Sequence, residues 1–373
     1  MKRLVLFSVY DDVGIIDDYV FYLLEKLHMI SSELFVILNM QVNESTKSKL
    51  LMHADRVICR ENYGFDAGAY RDAIVKNIGY KCIKEYDEIV LCNDTFWGPL
   101  VSFEYMIQKM SDVSCDCWGI NYVDINLFGH IQAYFMVFRK SIISSGFLFN
   151  YFNEEIDSHT NDIQKVIGTF EARFTRKIKD AGYVVGSLLQ VNNLDIYRCQ
   201  IELMYKFGFP IIKKKVFNNE YNPNIGQMKK ILEIINNNYD YDVNLILQTV
   251  KRKNLLLYEK SDHINEENIY YKSPTLTERE LISFIADADR IYIYGNGLWA
   301  KRLYWTYLRN EEKFAGFIIS DEFWKEENSY YDDKPIIKKS DYAKDGKIII
   351  AVSKQNMGSI DIDIMMDSEL SIF

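Results

Sequence analysis

Two stretches of the chain hold residue types at a spacing that can do chemistry. One runs Arg60-Glu61-Asn62-Tyr63-Gly64-Phe65-Asp66-Ala67-Gly68-Ala69-Tyr70-Arg71-Asp72, the other Ile89-Val90-Leu91-Cys92-Asn93-Asp94-Thr95-Phe96-Trp97-Gly98-Pro99. In the second, an apolar run stops at Asn93-Asp94-Thr95, the pattern of a buried parallel strand whose C-terminal end opens on a crevice. Ligands of open α/β sheets sit at that end. Asp94 can there offer a hard oxygen to a divalent metal, or to a ribose or sugar hydroxyl. In the first stretch, Gly64 and Gly68 let backbone approach a ligand closely, and the helix start after them favours a phosphate. Arg71 and Asp72 fall on the first turns of that helix, within reach of the same pocket. The plainer reading of Asn93-Asp94-Thr95 is an Asx-type turn after a strand.

The elements around these stretches read as alternating strands and helices. Strands are expected at Leu4–Tyr10, Glu33–Asn39, Arg56–Cys59 and Glu88–Cys92, with helices at Tyr19–Met29, Thr46–Ala54 and Tyr70–Ile78 between them. Val20, Leu23, Leu24 and Leu27 form one helical stripe. That alternation means a mostly parallel sheet, hence an α/β fold. Further on, the spacing predicts a helix at Ser102–Met110, a strand at Cys117–Tyr122 and a strand through 129–139. Period-two alternation puts His130, Gln132 and Tyr134 of the last on one face, where they can hydrogen-bond a sugar or can simply be core residues. A helix over Lys165–Gly182 carries Glu171, Arg173 and Arg176. Gly208-Phe209-Pro210 leads into Lys213-Lys214-Lys215, which suits a donor diphosphate, anionic lipid headgroups or an exposed basic turn.

After a polar linker at 254–276 the pattern restarts, so the expected domains are 1–253 and 277–373. Thr277 opens a helix with a capping box. A strand at Arg290–Tyr294 then meets Gly295-Asn296-Gly297, a helix and a strand ending Ser320-Asp321, which is Rossmann form with a loose glycine spacing. It amounts to at most half of such a domain, able either to bind a nucleotide or to serve in docking.

Asn62-x-Gly64-x-Asp66 followed by Tyr70-Arg71, then a strand ending Asn93-Asp94-Thr95 with Gly98-Pro99 after it, resembles the rhamnan synthesis F family of bacterial polysaccharide glycosyltransferases, up to about Arg252. Thr95 replaces the family's usual Ser and keeps the hydroxyl. His130-x-Gln132 and Gly208-x-Pro210-x-Ile212-Lys213 match the family as well, with Ala133 in place of a usual Ser. The resemblance implies a glycosyltransferase A-type sheet flanked by helices, beside a small Rossmann-like α/β domain. It implies a nucleotide diphosphosugar donor, rhamnose by family default, and a glycan or lipid-linked acceptor. Asn62, Gly64, Asp66, Tyr70, Arg71, Asn93, Asp94 and Thr95 then become donor-binding candidates, and His130, Gln132 and Trp97 acceptor- or sugar-binding ones. Asp94 would bind Mg2+ or Mn2+ bridging the diphosphate. The helix at 165–182 resembles the one that carries the catalytic base of inverting A-type enzymes. Glu171 holds the matching position, or is a helix charge favoured by the dipole. A single acid after the strand, in place of two, leaves Asp94 the alternative of acting through hydrogen bonds alone.

The composition suits a soluble globular chain, 48% hydrophobic and 26% charged. A net charge of -9 argues against general nucleic-acid binding, which needs a basic surface. Six scattered cysteines without zinc spacing read as reduced core residues, which fits the cytosol, with at most peripheral contact at the inner membrane face. Two other readings remain open: a non-catalytic glycan- or nucleotide-sugar-binding scaffold, and an oxidoreductase using Gly295-Asn296-Gly297.

Overall fold

The computed structural model describes residues 1–191, 194–217, 225–253, 255, 276–352 and 370–372. Apart from Leu255 and Leu276, the expected linker at 254–276 lies outside the described residues. The chain divides into two compact units that alternate along the sequence: Met1–Val123, His130–Asn161 and Phe174–Tyr271 form the first, and Asp124–Gly129, Asp162–Arg173 and Lys272–Phe373 the second. The short segments 124–129 and 162–173, read from the sequence with the first domain, thus belong to the second unit.

In the first unit β1 (Arg3–Val9), α1 (Asp18–Ile30), β2 (Glu33–Leu38), α2 (Glu44–Leu50), β3 (Arg56–Cys59), α3 (Phe65–Arg71) and β4 (Glu88–Asn93) follow in order. The helix α3 continues as a π-helical run, Asp72–Ile78. The strands β5 (Phe96–Trp97), β6 (Cys117–Val123), β7 (His130–Ile131), β8 (Phe135–Arg139), β9 (Val185–Leu189) and β10 (Ile212–Lys213) complete it. Eight strands make one sheet in the order β3-β2-β1-β4-β8-β6-β7, with β9 also on β6. The bonds β1–β2, β2–β3 and β1–β4 are parallel. Apart from the first residues Arg3 and Glu33, successive residues of β1, β2 and β4 are buried, as strands covered on both faces must be. The α1 stripe Val20, Leu23, Leu24 and Leu27 packs on one face beside Val5, Phe7, Val36 and Val90. This is the expected α/β architecture with a mostly parallel sheet.

Two expectations need correction. The strand through 129–139 is broken: β7 pairs Val123 with His130, whereas β8 pairs Gly119 with Met136, and a turn at Ala133-Tyr134 absorbs the slip in register. His130 and Gln132 stay side by side, whereas Tyr134 leaves their face and turns inward to bond Asn121 Oδ1. The lysine run, for which an exposed basic turn was one of three readings, is exposed only at Lys215. Its first member lies on β10, which pairs antiparallel with β5 (Ile212 with Trp97, Lys213 with Phe96) and is buried.

The second unit carries β11 (Ile291–Tyr294), β12 (Phe314–Ile319), β13 (Tyr330–Tyr331), β14 (Lys334–Lys338), β15 (Lys347–Ile350) and β16 (Leu370–Ser371), in the order β13-β14-β12-β11-β15-β16. All neighbours are parallel except β13 and β14. The doubly wound order exceeds the half-Rossmann expected, because β14 and β16 extend both edges. The capping box at Thr277 and Glu280 is formed as read. Gly295, with φ +111°, serves packing: a Cβ there would meet Val352 Cγ1 at 3.0 Å and Ala351 O at 3.1 Å. Asp321 is exposed and accepts a bond from Ser340 N at 3.0 Å. No helix among the described residues is long and apolar enough to cross a membrane.

Candidate functional site

The first unit's sheet reverses its winding between β1 and β4, the switch point where open α/β sheets hold ligands. A cavity of about 640 Å³ lies at the carboxyl ends of β1, β2 and β3, lined by Tyr10–Gly14, Asn39–Gln41, Arg60–Tyr63 and Asn161. Ser8 of β1 is in register with Asn93 of β4, and Asp94 N donates to Ser8 O at 3.1 Å. Asn93-Asp94 therefore stands two residues before the cavity wall, which starts at Tyr10.

The two stretches singled out in the sequence meet here. Asn93 Nδ2 donates to Asp66 Oδ2 at 2.8 Å, and Thr95 Oγ1 donates to Asn93 Oδ1 at 2.7 Å. Asn62 lines the cavity, and Arg60 braces the loop around it. The Arg60 guanidinium donates to Asp72 Oδ2 (3.0 Å), Asn39 Oδ1 (2.6 Å), Tyr63 O (2.7 Å) and Ser158 O (3.1 Å). Arg71 reaches Ser158 Oγ at 3.3 Å.

The strand β10 brings a third stretch, which the sequence did not tie to the other two. Lys213 Nζ donates to Thr95 Oγ1 at 2.5 Å. Lys214 Nζ lies 2.9 Å from Asp94 Oδ2 and bonds the Tyr19 hydroxyl, which itself donates to Asp94 Oδ2 at 2.8 Å. Burial pushes the Lys214 ammonium below its usual range, and the Asp94 charge opposes that shift. Burial also raises the Tyr19 phenol, with Asp94 adding to the effect, so it stays a donor. The pairing of β10 with β5 spans the sequence gap to these lysines. Tyr10, Asp11 and Asn39 were missed as cavity-lining residues, and the lysine run, read as suiting a donor diphosphate, was not tied to Thr95 and Asp94. The abrupt Asn39 and Asp11 after apolar runs were the available signals.

Several candidates sit elsewhere. Trp97 and Tyr70 are 0% exposed, so neither can touch a sugar or a donor. Trp97 packs edge-on to Phe217 and Tyr19 because the β5–β10 pairing covers it. Tyr70 lies on the buried face of α3 with Ala67 and Ala69. Gly64 and Gly68 admit chain, not ligand: a Cβ on Gly64 would meet Asp157 O at 2.7 Å, and one on Gly68 would meet Tyr63 O at 2.6 Å. Gly64 N donates to Thr160 O at 2.6 Å, so the helix start is capped by the 157–160 loop. His130 is buried at β7, 3.2 Å from the Gln132 amide. The helix expected at 165–182 forms as Ile163–Val166, π-helical Ile167–Arg173 and Phe174–Asp180. Glu171, half-buried on the π-helical piece, belongs to the second unit, whereas Asp94 belongs to the first.

Of the two Asp94 oxygens that could ligate the expected Mg2+ or Mn2+, Oδ2 is held by an ammonium and a phenol, and no group of three or more His, Cys, Asp or Glu is assembled for an ion among the described residues.

Fold and geometry together define an α/β protein with a polar cavity at the carboxyl ends of β1, β2 and β3 of a mostly parallel sheet. The sequence profile of the family Rhamnan synthesis protein F matches residues 34–286, and the chain belongs to that family. It is 27% identical over 170 residues to the uncharacterized protein y4gN of Sinorhizobium fredii, covering 44% of this chain and 43% of that protein. It is 27% identical over 173 residues to the virulence protein VirA of Vibrio anguillarum, covering 46% and 54%. The chain thus spans about half the length of the curated relatives it matches. Among solved structures, it is similar to the glycosyltransferase GlyE of Streptococcus pneumoniae TIGR4 (9% identity, TM-score 0.37, covering 99% of this chain and 95% of that one). It is also similar to a cytidylyltransferase of Leptospira borgpetersenii (10% identity, TM-score 0.35, covering 70% and 100%). At such scores the likeness says nothing about activity.

Proposed function

We propose that the first unit binds a nucleotide diphosphosugar and that the protein is a glycosyltransferase of bacterial surface polysaccharide synthesis. The observation that carries this reading is the cavity at the carboxyl ends of β1, β2 and β3, with Asn93-Asp94 on the adjoining strand β4 in register with β1. Its volume suits a nucleoside. Tyr10 and Tyr63 offer aromatic faces to a base, and Asn62 offers hydrogen bonds to the sugar or base edge. Membership of the rhamnan synthesis family supports a polysaccharide setting, with rhamnose as the donor sugar and a lipid-linked glycan as acceptor. Glu171 is our candidate base for an inverting displacement, taking the acceptor's proton as its oxygen attacks the anomeric carbon.

The test is a thermal-shift and turnover screen against UDP, GDP, dTDP and CDP sugars. One of them should raise the melting temperature and release its nucleoside diphosphate in the presence of glycan acceptor. Glu171→Gln should abolish release and keep the shift. A second reading, a binding subunit without turnover, is favoured by the engagement of Asp94 with Lys214 and Tyr19. It predicts the same shift but unchanged pathway output from both Asp94→Asn and Glu171→Gln.

A further inference from the structure

We propose that the cation facing the donor diphosphate in this chain is its own Lys214, held beside the buried Lys213, rather than a divalent metal. The inference rests on the donor-binding reading above and deepens it.

A diphosphate leaving group builds negative charge that something must neutralise, and a metal held by strand-end acids is one solution. Here the strand-end acid is already matched. Asp94 is the one carboxylate in the Asn93-Asp94-Thr95 turn, and Lys214 Nζ sits 2.9 Å from its Oδ2. The Tyr19 hydroxyl donates to the same oxygen at 2.8 Å, so that oxygen is filled by two donors. Beside it Lys213, 5% exposed, fixes its ammonium on Thr95 Oγ1 at 2.5 Å and over the Tyr134 ring at 4.4 Å. Both lysines ride on a strand end whose backbone is locked to the turn, since Lys214 N donates to Thr95 O at 3.1 Å. Side chains held this way lose little further freedom on meeting a ligand, which is how preorganised charge gains affinity. Lys214 retains about a quarter of its side-chain exposure, 23%, so an anion can reach it while Asp94, at 9%, stays behind. Asp94 is then a positioning residue: it orients Lys214 and does not hold an ion.

The experiment titrates UDP, GDP, dTDP and CDP into the full chain by calorimetry, in excess EDTA and separately in Mn2+. The expected result is that one nucleotide binds in EDTA with an affinity within a few-fold of that in Mn2+. Lys214→Met should weaken it by roughly tenfold to a hundredfold, as loss of a charge-assisted bond does. Because Lys214→Met leaves Asp94 unpaired, the double variant with Asp94→Asn is measured beside it, with its fold checked by circular dichroism, and should bind as weakly. Binding only with Mn2+, or binding in EDTA that neither variant weakens, overturns the Lys214 cation and leaves the donor reading standing. Binding of no nucleotide under either condition overturns both.

Discussion

At the level of single residues, the glycines show how one residue type serves different ends. Gly64 has φ +66° and would put a Cβ 2.7 Å from Asp157 O, so alanine there is both strained and obstructed by backbone. Gly208 has φ +61° but open space around a Cβ, so alanine there is only strained. Gly64→Ala should therefore lose about 2–4 kcal/mol and Gly208→Ala about 1–2 kcal/mol. Urea denaturation of the two variants checks the order; equal losses would mean that the 157–160 loop yields freely. Trp97 and Tyr70 teach a related lesson. The resemblance implied donor contact for Tyr70 and sugar contact for Trp97, but a motif does not say which face of an element looks inward. Burial of Trp97 depends on Phe217, a partner distant in the chain and brought in by tertiary pairing.

At the level of elements, the loop after β1 is fastened by the end of the helix Asn244–Arg252. Arg252 donates to Asp11 Oδ2 and Asp17 Oδ2, both at 2.7 Å, Thr249 Oγ1 to Asp17 Oδ2 at 2.8 Å, and Lys253 pairs with Asp11 at 2.8 Å. Asp11 also accepts from Val13 N and Ile15 N, and it lines the cavity. Burial alone would raise the Asp11 carboxyl, but the Arg252 and Lys253 bonds outweigh it and hold it well below its ordinary 3.8. A depressed folded-state value means stability that is present above about pH 4 and drains away as the pH falls below it. Arg252→Ala should lose about 2 kcal/mol at neutral pH and show a shallower decline on the acid side. Denaturation midpoints from pH 7 down to about 3 measure both effects, and parallel curves for wild type and variant would refute the clamp. The first four strands and α1 were legible because each is a local pattern: an apolar run ended by polar residues, or a stripe at helical spacing. The break between β7 and β8 was not, because it answers to the register of β6. The path of Lys213 and Lys214 to Asp94 was not legible either, because it exists only through a two-residue strand pairing.

At the level of the whole molecule, the two units share one chain in an interrupted order, and this has consequences for cutting it. Leu127, Phe128 and Ala172 belong to the core of the second unit with Leu281, Tyr304 and Trp305. Tyr307 donates to Leu127 O at 2.5 Å and packs on Phe128 with ring centroids 6.4 Å apart. Gly168 passes so close to Trp305 that a Cβ would lie 2.5 Å from the Trp305 Cβ, and Arg173 donates to Thr306 O at 3.4 Å. A chain ending at Leu255 keeps every strand of the first sheet but strips these segments of their apolar partners. It should bind a hydrophobic dye and melt at a lower temperature than the full chain, because uncovered apolar patches invite association. Trp305→Ala in the full chain should move the same way by about 3–5 kcal/mol, as the loss of a large buried ring does. A fragment 1–255 that stays monodisperse, binds no dye and melts like the full chain would mean that the segments 124–129 and 162–173 fold without the C-terminal sheet.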